Sequence, residues 1–320
     1  MRHSNIKKDI TMRNFMIVSA FICLAAIVCG FMLSSSSSMY FDFEAVKEVE
    51  IYSEEDIIAV GDAIYNNDLI LMNDIHITNS DFTIGTKDRP FIGTFNGNGH
   101  TIYLDMSSVE EGASLFGCIG EGGIIKNTNF VFNNVTVNAS VYSGIASMNY
   151  GTIQDVYVKY NNFLITQNKG IYSAAVAINK GTLSNVIVDC TFSSSYELTD
   201  EKSIFIGPVC AYNYGTVKNS ISLPTYDGFN CTNEYKILMG EIVNVGISGI
   251  CSVNFSGAAT ENSTALISDG TYTSDKSSGL KIETSKSAIF NTSNLYDVLD
   301  FDNRIWQFSE GGSFNLIVER

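Results

Sequence analysis

The chain is poor in the residues that most catalytic and metal chemistry requires. Three histidines (His3, His76 and His100) and one tryptophan, Trp306, stand in 320 residues. So few imidazoles leave little material for histidine-based acid–base work or for a histidine metal cluster. Three prolines, with 26 glycines in no G-X-Y period, exclude collagen-like and proline-rich architectures. Basic residues are scarce: 19 Lys+Arg face 34 Asp+Glu, a net charge of −15. A protein that tracks a phosphate backbone needs a basic surface, so no nucleic-acid partner is expected. Charged residues make up only 17% and apolar ones 45%, a balance that excludes a disordered chain. The seven cysteines form no CxxC pair. A disulfide scaffold is not expected in so large a domain, and the cysteines read as small buried hydrophobes. What is abundant is asparagine, 30 residues in all.

The N-terminus carries one long apolar run. Asn14 to Leu33 reads NFMIVSAFICLAAIVCGFML, twenty residues without a charge. That is enough to cross a hydrocarbon core of about 30 Å. Arg2, Lys7, Lys8 and Arg13 precede it, against one acid, Asp9, so residues 1–13 are expected to stay cytoplasmic and the rest to lie outside. The run is longer than the apolar part of a typical signal peptide, which favours a retained anchor over residues 14–33. The serines at Ser34–Ser38 leave cleavage, and hence secretion, as the alternative. Val28 before Cys29 argues against lipidation. Residues 34–50 read as a Ser-rich linker. Without residues 1–33 the chain keeps 15 Lys+Arg and 33 Asp+Glu, a net −18.

An internal repeat occupies the middle of the chain. Gly122–Val131 (GGIIKNTNFV), Tyr150–Lys159 (YGTIQDVYVK), Lys180–Asp189 (KGTLSNVIVD) and Tyr214–Leu223 (YGTVKNSISL) share one frame. Upstream of three copies stands Asn-x-Gly, beginning at Asn149, Asn179 and Asn213. A fifth, degraded copy lies at Ile250–Ser263. Each unit holds short β-prone runs, such as Asn185–Asp189 (NVIVD), broken by residues that tolerate turns. A unit near thirty residues cannot bury its own apolar face, but stacked units can. Stacking predicts an interior column of Ile125, Ile153, Leu183 and Val217. It places Asn127, Asp155, Asn185 and Asn219 in a ladder at a bend, the amides bonding their own turn and the next coil. It makes Gly123, Gly151, Gly181 and Gly215 a corner too tight for a Cβ. Ser53–Asn66 (SEEDIIAVGDAIYN) reads as an amphipathic helix with Ser53 as its cap and acids in its first turn.

Pro90–Leu104, PFIGTFNGNGHTIYL, resembles the opening signature of bacterial exported GLUG-repeat proteins. Phe91, Gly93, Phe95, Asn96, Gly97, Gly99 and Ile102 match the family pattern. Leu69–Ile77 (LILMNDIHI) is similar to the family's preceding strand, with His76 in place of an acid. Leu115–Gly117 and the Trp306–Phe308 motif fit as well. The resemblance covers roughly residues 51–320 and weakens after about 225. It implies a right-handed parallel β-helix, pectin-lyase-like. It also implies a place at the cell surface, in adhesion or in carbohydrate or protein binding, and is not specific for an activity. Independently of the resemblance, the open ends of such a solenoid need covers, and the helix over 51–66 is expected to cap the N-terminal end and residues 290–320 the C-terminal one.

Chemistry is thinly represented. A β-helix polysaccharide lyase needs a basic residue beside a uronate, usually with calcium-binding acids. Of Arg89, Arg304 and Arg320, none lies in the repeats. A glycosidase needs two facing carboxylates; Asp155, Asp189 and Glu197 are available, but sequence does not pair them. His76 and His100 lack acids or cysteines at ligand spacing. Asp297, Asp300 and Asp302 do not follow the calcium-loop pattern. Tyrosines recur through the coils, and an outward aromatic face can stack on a sugar ring. Tyr150, Tyr157 and Tyr214 are the candidate stacking residues. The expectation is an all-β, non-catalytic surface protein that has no cofactor, metal or catalytic residue, with the membrane and cell-surface glycans or proteins as partners. A carbohydrate-active enzyme of the same fold is the alternative.

Overall fold

The structure, a computed structural model, describes residues 48–61, 66–78, 82–105, 109, 113–167, 169–195, 204–227, 236–238, 241–243, 246–247, 250–255, 257–266, 280–283, 289–290, 293–309 and 313–317. The expected basic stub, the anchor 14–33 and nearly all of the linker lie outside them. Among the described residues no helix is long and apolar enough to cross a membrane.

The fold is an all-β solenoid of about five turns, consistent with a parallel β-helix. Among the described residues three parallel sheets run along it. The first contains Val49–Ile51, Leu69–Leu71, Thr94–Asn96, Ile124–Asn133, Thr152–Ile165, Thr182–Ser194, Ile221–Asp227, Ser263–Leu266 and Leu280–Glu283 in that spatial order. The second stacks Phe116–Ile119, Ala146–Asn149, Val176–Asn179, Cys210–Asn213 and Cys251–Asn254. The third stacks Val141–Ser143, Gly170–Ser173, Ile204–Ile206 and Gly246–Ile247.

Register is what makes the repeat a structure. Leu69, Phe95, Ile125, Ile153, Leu183 and Val217 are successive partners across the first sheet, and all are buried. Successive residues of a strand point to opposite faces, so Lys126, Gln154, Ser184 and Lys218 form the adjacent column, at least partly open to solvent. Rings stack inside as well: Phe132 on Tyr160 at 4.5 Å, Tyr160 on Phe163 at 4.9 Å and Phe192 on Tyr226 at 5.3 Å. Offset aromatic pairs of this kind add to the area they bury. The described cysteines, Cys118, Cys190, Cys210 and Cys251, are buried.

The signature stretch Pro90–Leu104 is one more coil of the same build. Phe91 and Phe95 are fully buried, and Gly93 lies where a Cβ would stand 2.0 Å from the Asn67 carbonyl oxygen. Asn98 takes φ +51° in its bend. These residues are therefore accounted for by coil geometry.

Several short elements among the described residues are not coils, among them the antiparallel pair Lys236–Leu238 and Glu241–Val243. The helix Glu54–Gly61 starts at Ser53, whose Oγ accepts the Asp56 N–H at 3.3 Å, while Asp56 accepts the Tyr52 N–H at 2.9 Å. Ile57 is buried. Near the C-terminus a π-helical turn, Ser293–Val298, leads to an antiparallel hairpin of Trp306–Ser309 and Ser313–Leu316. Phe290, Leu295, Leu299, Phe301, Trp306 and Leu316 from this segment share a cluster with Ile187, Ile221 and Leu223. Those three are on the outer face of the first sheet, so the described part of the segment lies along the flank of the coils.

Candidate ligand-binding surface

Asparagine occupies two columns, and the backbone decides what each does. The first column is Asn149, Asn179, Asn213 and Asn254, in register across the second sheet. The first three are completely buried. Asn149 donates to Asn179 Oδ1 at 2.8 Å, Asn179 to Asn213 at 2.9 Å, and Asn213 to Asn254 at 2.8 Å. Each Oδ1 also accepts the N–H two residues on, from Gly151, Gly181 and Gly215, at 3.1 to 3.2 Å. The Asn-x-Gly turn thus closes locally and is bonded to the next turn by the same side chain. The glycines stand in file beside it: a Cβ on Gly151, Gly181 or Gly215 would lie 2.1 to 2.2 Å from the carbonyl oxygen of the glycine one coil before, and one on Gly123 would lie 2.4 Å from the Phe91 carbonyl oxygen.

The second column is Asn127, Asp155, Asn185, Asn219 and Asn262. Each has φ between +47° and +53°, the left-handed region that asparagine and aspartate tolerate best. Here only Asn262 reaches a column neighbour, Asn219 Oδ1 at 3.0 Å. Three of the five serve the C-terminal segment. Asp155 accepts the Trp306 indole N–H at 3.0 Å, Asn185 donates to the Asp300 carbonyl at 3.0 Å, and Asn262 donates to the Val298 carbonyl. Burial raises the Asp155 carboxyl above its ordinary range; the indole N–H opposes this and the charge of Asp302 adds to it.

Because Asn and Gly of each turn face the coil, the residue between them is forced outward. That residue is Tyr150, then Lys180, then Tyr214, and Phe255 follows Asn254 in the same position. Lys180 Nζ sits 5.2 Å from the Tyr150 ring centre and 5.8 Å from that of Tyr214. Tyr214 stacks face to face on Phe255 at 3.9 Å. The result is an aromatic–cation–aromatic column on one corner of the solenoid, in which Tyr214 is 42% exposed. Beside it Tyr212 packs edge-on against Phe205 and Phe255, and burial with the nearby Tyr214 pushes its phenol up to about 12. Both faces of Tyr214 are occupied, so this corner offers ring edges, hydroxyls and one ammonium to a ligand.

The remaining candidates separate. Tyr157 is far from that corner: it lies on the outer face of the first sheet under Phe314, ring to ring at 4.7 Å. Burial, with Asp189 adding, raises its phenol. His76 stacks on Tyr103 at 4.4 Å, and His100 Nδ1 meets Asp74 at 3.2 Å. Asp302 is held below its usual range by Arg304, which grips it through Nε and Nη2. Among the described residues no group of three His, Cys, Asp or Glu is placed to hold a metal. Sequence reasoning singled out Tyr150 and Tyr214 but missed Lys180 and Phe255, although Lys180 is the middle residue of an Asn-x-Gly turn and is found by that rule. No family model matches the chain, and neither a curated protein nor a solved structure shows significant similarity to it.

Proposed function

We propose that the chain is a non-catalytic cell-surface glycan-binding protein, a right-handed parallel β-helix of the GLUG-repeat, pectin-lyase-like kind, held at the membrane by residues 14–33. The observation that carries the binding reading is the outward column Tyr150–Lys180–Tyr214–Phe255. Its side chains follow from the turn rule but add nothing to the solenoid interior. Phenol hydroxyls donate and accept, and the ammonium donates, which suits a polyhydroxylated ligand laid along the corner. Several acids of the coils are engaged structurally: Asp68 accepts the Thr94 N–H, Asp74 the Thr101 N–H, and Asp155 the indole of Trp306. The family resemblance rests on sequence pattern, and a fold does not by itself license an activity.

The test is a glycan array run beside a reducing-sugar assay, with the wild-type chain and Tyr214→Ala. Binding that weakens in the variant, without sugar release, is expected. Release of sugar from a uronate or neutral glycan contradicts the non-catalytic reading, and binding indifferent to Tyr214 contradicts the site.

A further inference from the structure

The C-terminal segment 289–317 is attached to the solenoid in a different way from every coil. Its hairpin is a separate two-stranded antiparallel sheet and joins none of the three parallel ones. Among the described residues its turn and loop backbone bonds are internal: Phe301 to Leu295, Ile305 and Trp306 to Asp302, Ile317 to Ile305. It has an aromatic interior of its own, with Phe301 edge-on to Trp306 at 5.4 Å and Phe290 stacked on Phe314 at 5.4 Å. Contact with the coils is through side chains: the apolar patch of Tyr157, Ile187, Ile221 and Leu223, and the polar groups of Asp155, Asn185 and Asn262. Those polar groups recognise two main-chain carbonyls and one indole N–H, as a peptide-binding groove would.

We propose that residues 289–317 are a separable strap, which leaves the coils as one body while the solenoid stays folded, and that the flank it uncovers receives the same segment from a second copy. No ladder bond has to break for the strap to leave, so its release is local and lies below global unfolding in free energy. Once released, it leaves the apolar patch open to water, a face that seeks a cover. A second copy's segment brings the same two carbonyls, the same indole and the same rings, so exchange restores every contact. Both copies are acidic, which makes the exchange sensitive to salt.

Trp306 is the chain's one tryptophan, so its emission reports the strap alone. The full chain is heated while tryptophan fluorescence and the far-ultraviolet strand signal are followed together. The fluorescence change is expected at a lower temperature than the strand loss. Asp155→Gly keeps a residue that accepts positive φ and removes the indole's acceptor. It is expected to lower the fluorescence transition and leave the strand transition in place. Coincident transitions in both proteins overturn the separable strap. Concentrated protein, held between the two transitions in high salt and cooled, is then sized by light scattering. A dimer fraction that grows with concentration supports exchange; monomer at every concentration overturns it.

Discussion

The two asparagine columns use one residue type at nearly one spacing and do opposite things. Asn149, Asn179 and Asn213 are wholly buried and bond one another. Asn127, Asp155, Asn185 and Asn219 sit in left-handed bends, where Asp155 and Asn185 bond the C-terminal segment and Asn219 accepts from Asn262. Burial does not separate them, since Asp155 and Asn185 are buried too; the first column stands at the ends of parallel strands in register, where each amide meets the amide of the next coil, and the second stands in left-handed bends.

The largest effect expected from breaking this contrast comes from Asn179→Ala. It removes the bond from the Asn149 amide, the bond from the Gly181 N–H and the bond to the Asn213 side-chain oxygen, and at about 0.5–1.5 kcal/mol for each bond the total loss is about 2–4 kcal/mol. Urea unfolding is expected to show it as a large fall in midpoint. A midpoint close to wild type refutes the load placed on the ladder. Gly151→Ala acts at the same corner by contact with the Gly123 carbonyl oxygen, and overpacking of this kind costs about 1–3 kcal/mol. In the second column Asn185→Ala forfeits one bond to Asp300 and forces a Cβ residue without a compensating side chain into positive φ, for about 1–2 kcal/mol. It is expected to change tryptophan emission, which Gly151→Ala leaves alone at low temperature.

Asp155 sharpens the comparison through pH. Its folded-state pKa is raised, so the native chain holds this proton more tightly than the unfolded one. The contribution is therefore fully present below the unfolded-state pKa and is lost as pH rises through the folded one. Asp155→Asn keeps an oxygen to accept the indole N–H and has no charge to bury. It is expected to flatten this pH dependence and to raise the tryptophan transition slightly at neutral pH. A slope that survives in the variant places the titration elsewhere.

Much of the solenoid was legible in the sequence, because stacking copies a frame from coil to coil. The column Ile125, Ile153, Leu183 and Val217 follows from the repeat, and the helix start follows from Ser53 and the acids after it. Which asparagines bond each other was not legible. Both columns have the right spacing, and the difference between them is the backbone at each asparagine, a strand end in one and a left-handed bend in the other, which one coil's sequence does not display. The strap's position was hidden for another reason. Its anchors join residues 115 and 151 positions apart, Asn185 with Asp300 and Asp155 with Trp306, and belong to no repeat. The coil lengths also drift: the ladder asparagines are 30, 34 and 41 residues apart, so the last copy is out of phase for a pattern search.

The central claim is that distant residues lie one above another along a common axis. Lys126 and Glu261 are four rungs apart in one outward column, through Gln154, Ser184 and Lys218. At about 4.8 Å per rung their Cα atoms lie about 19 Å apart. Spin labels carried there on unnatural ketone side chains, measured by pulsed dipolar spectroscopy, are expected to give one narrow distribution consistent with that separation. A broad distribution, or one centred far beyond it, contradicts the stacking.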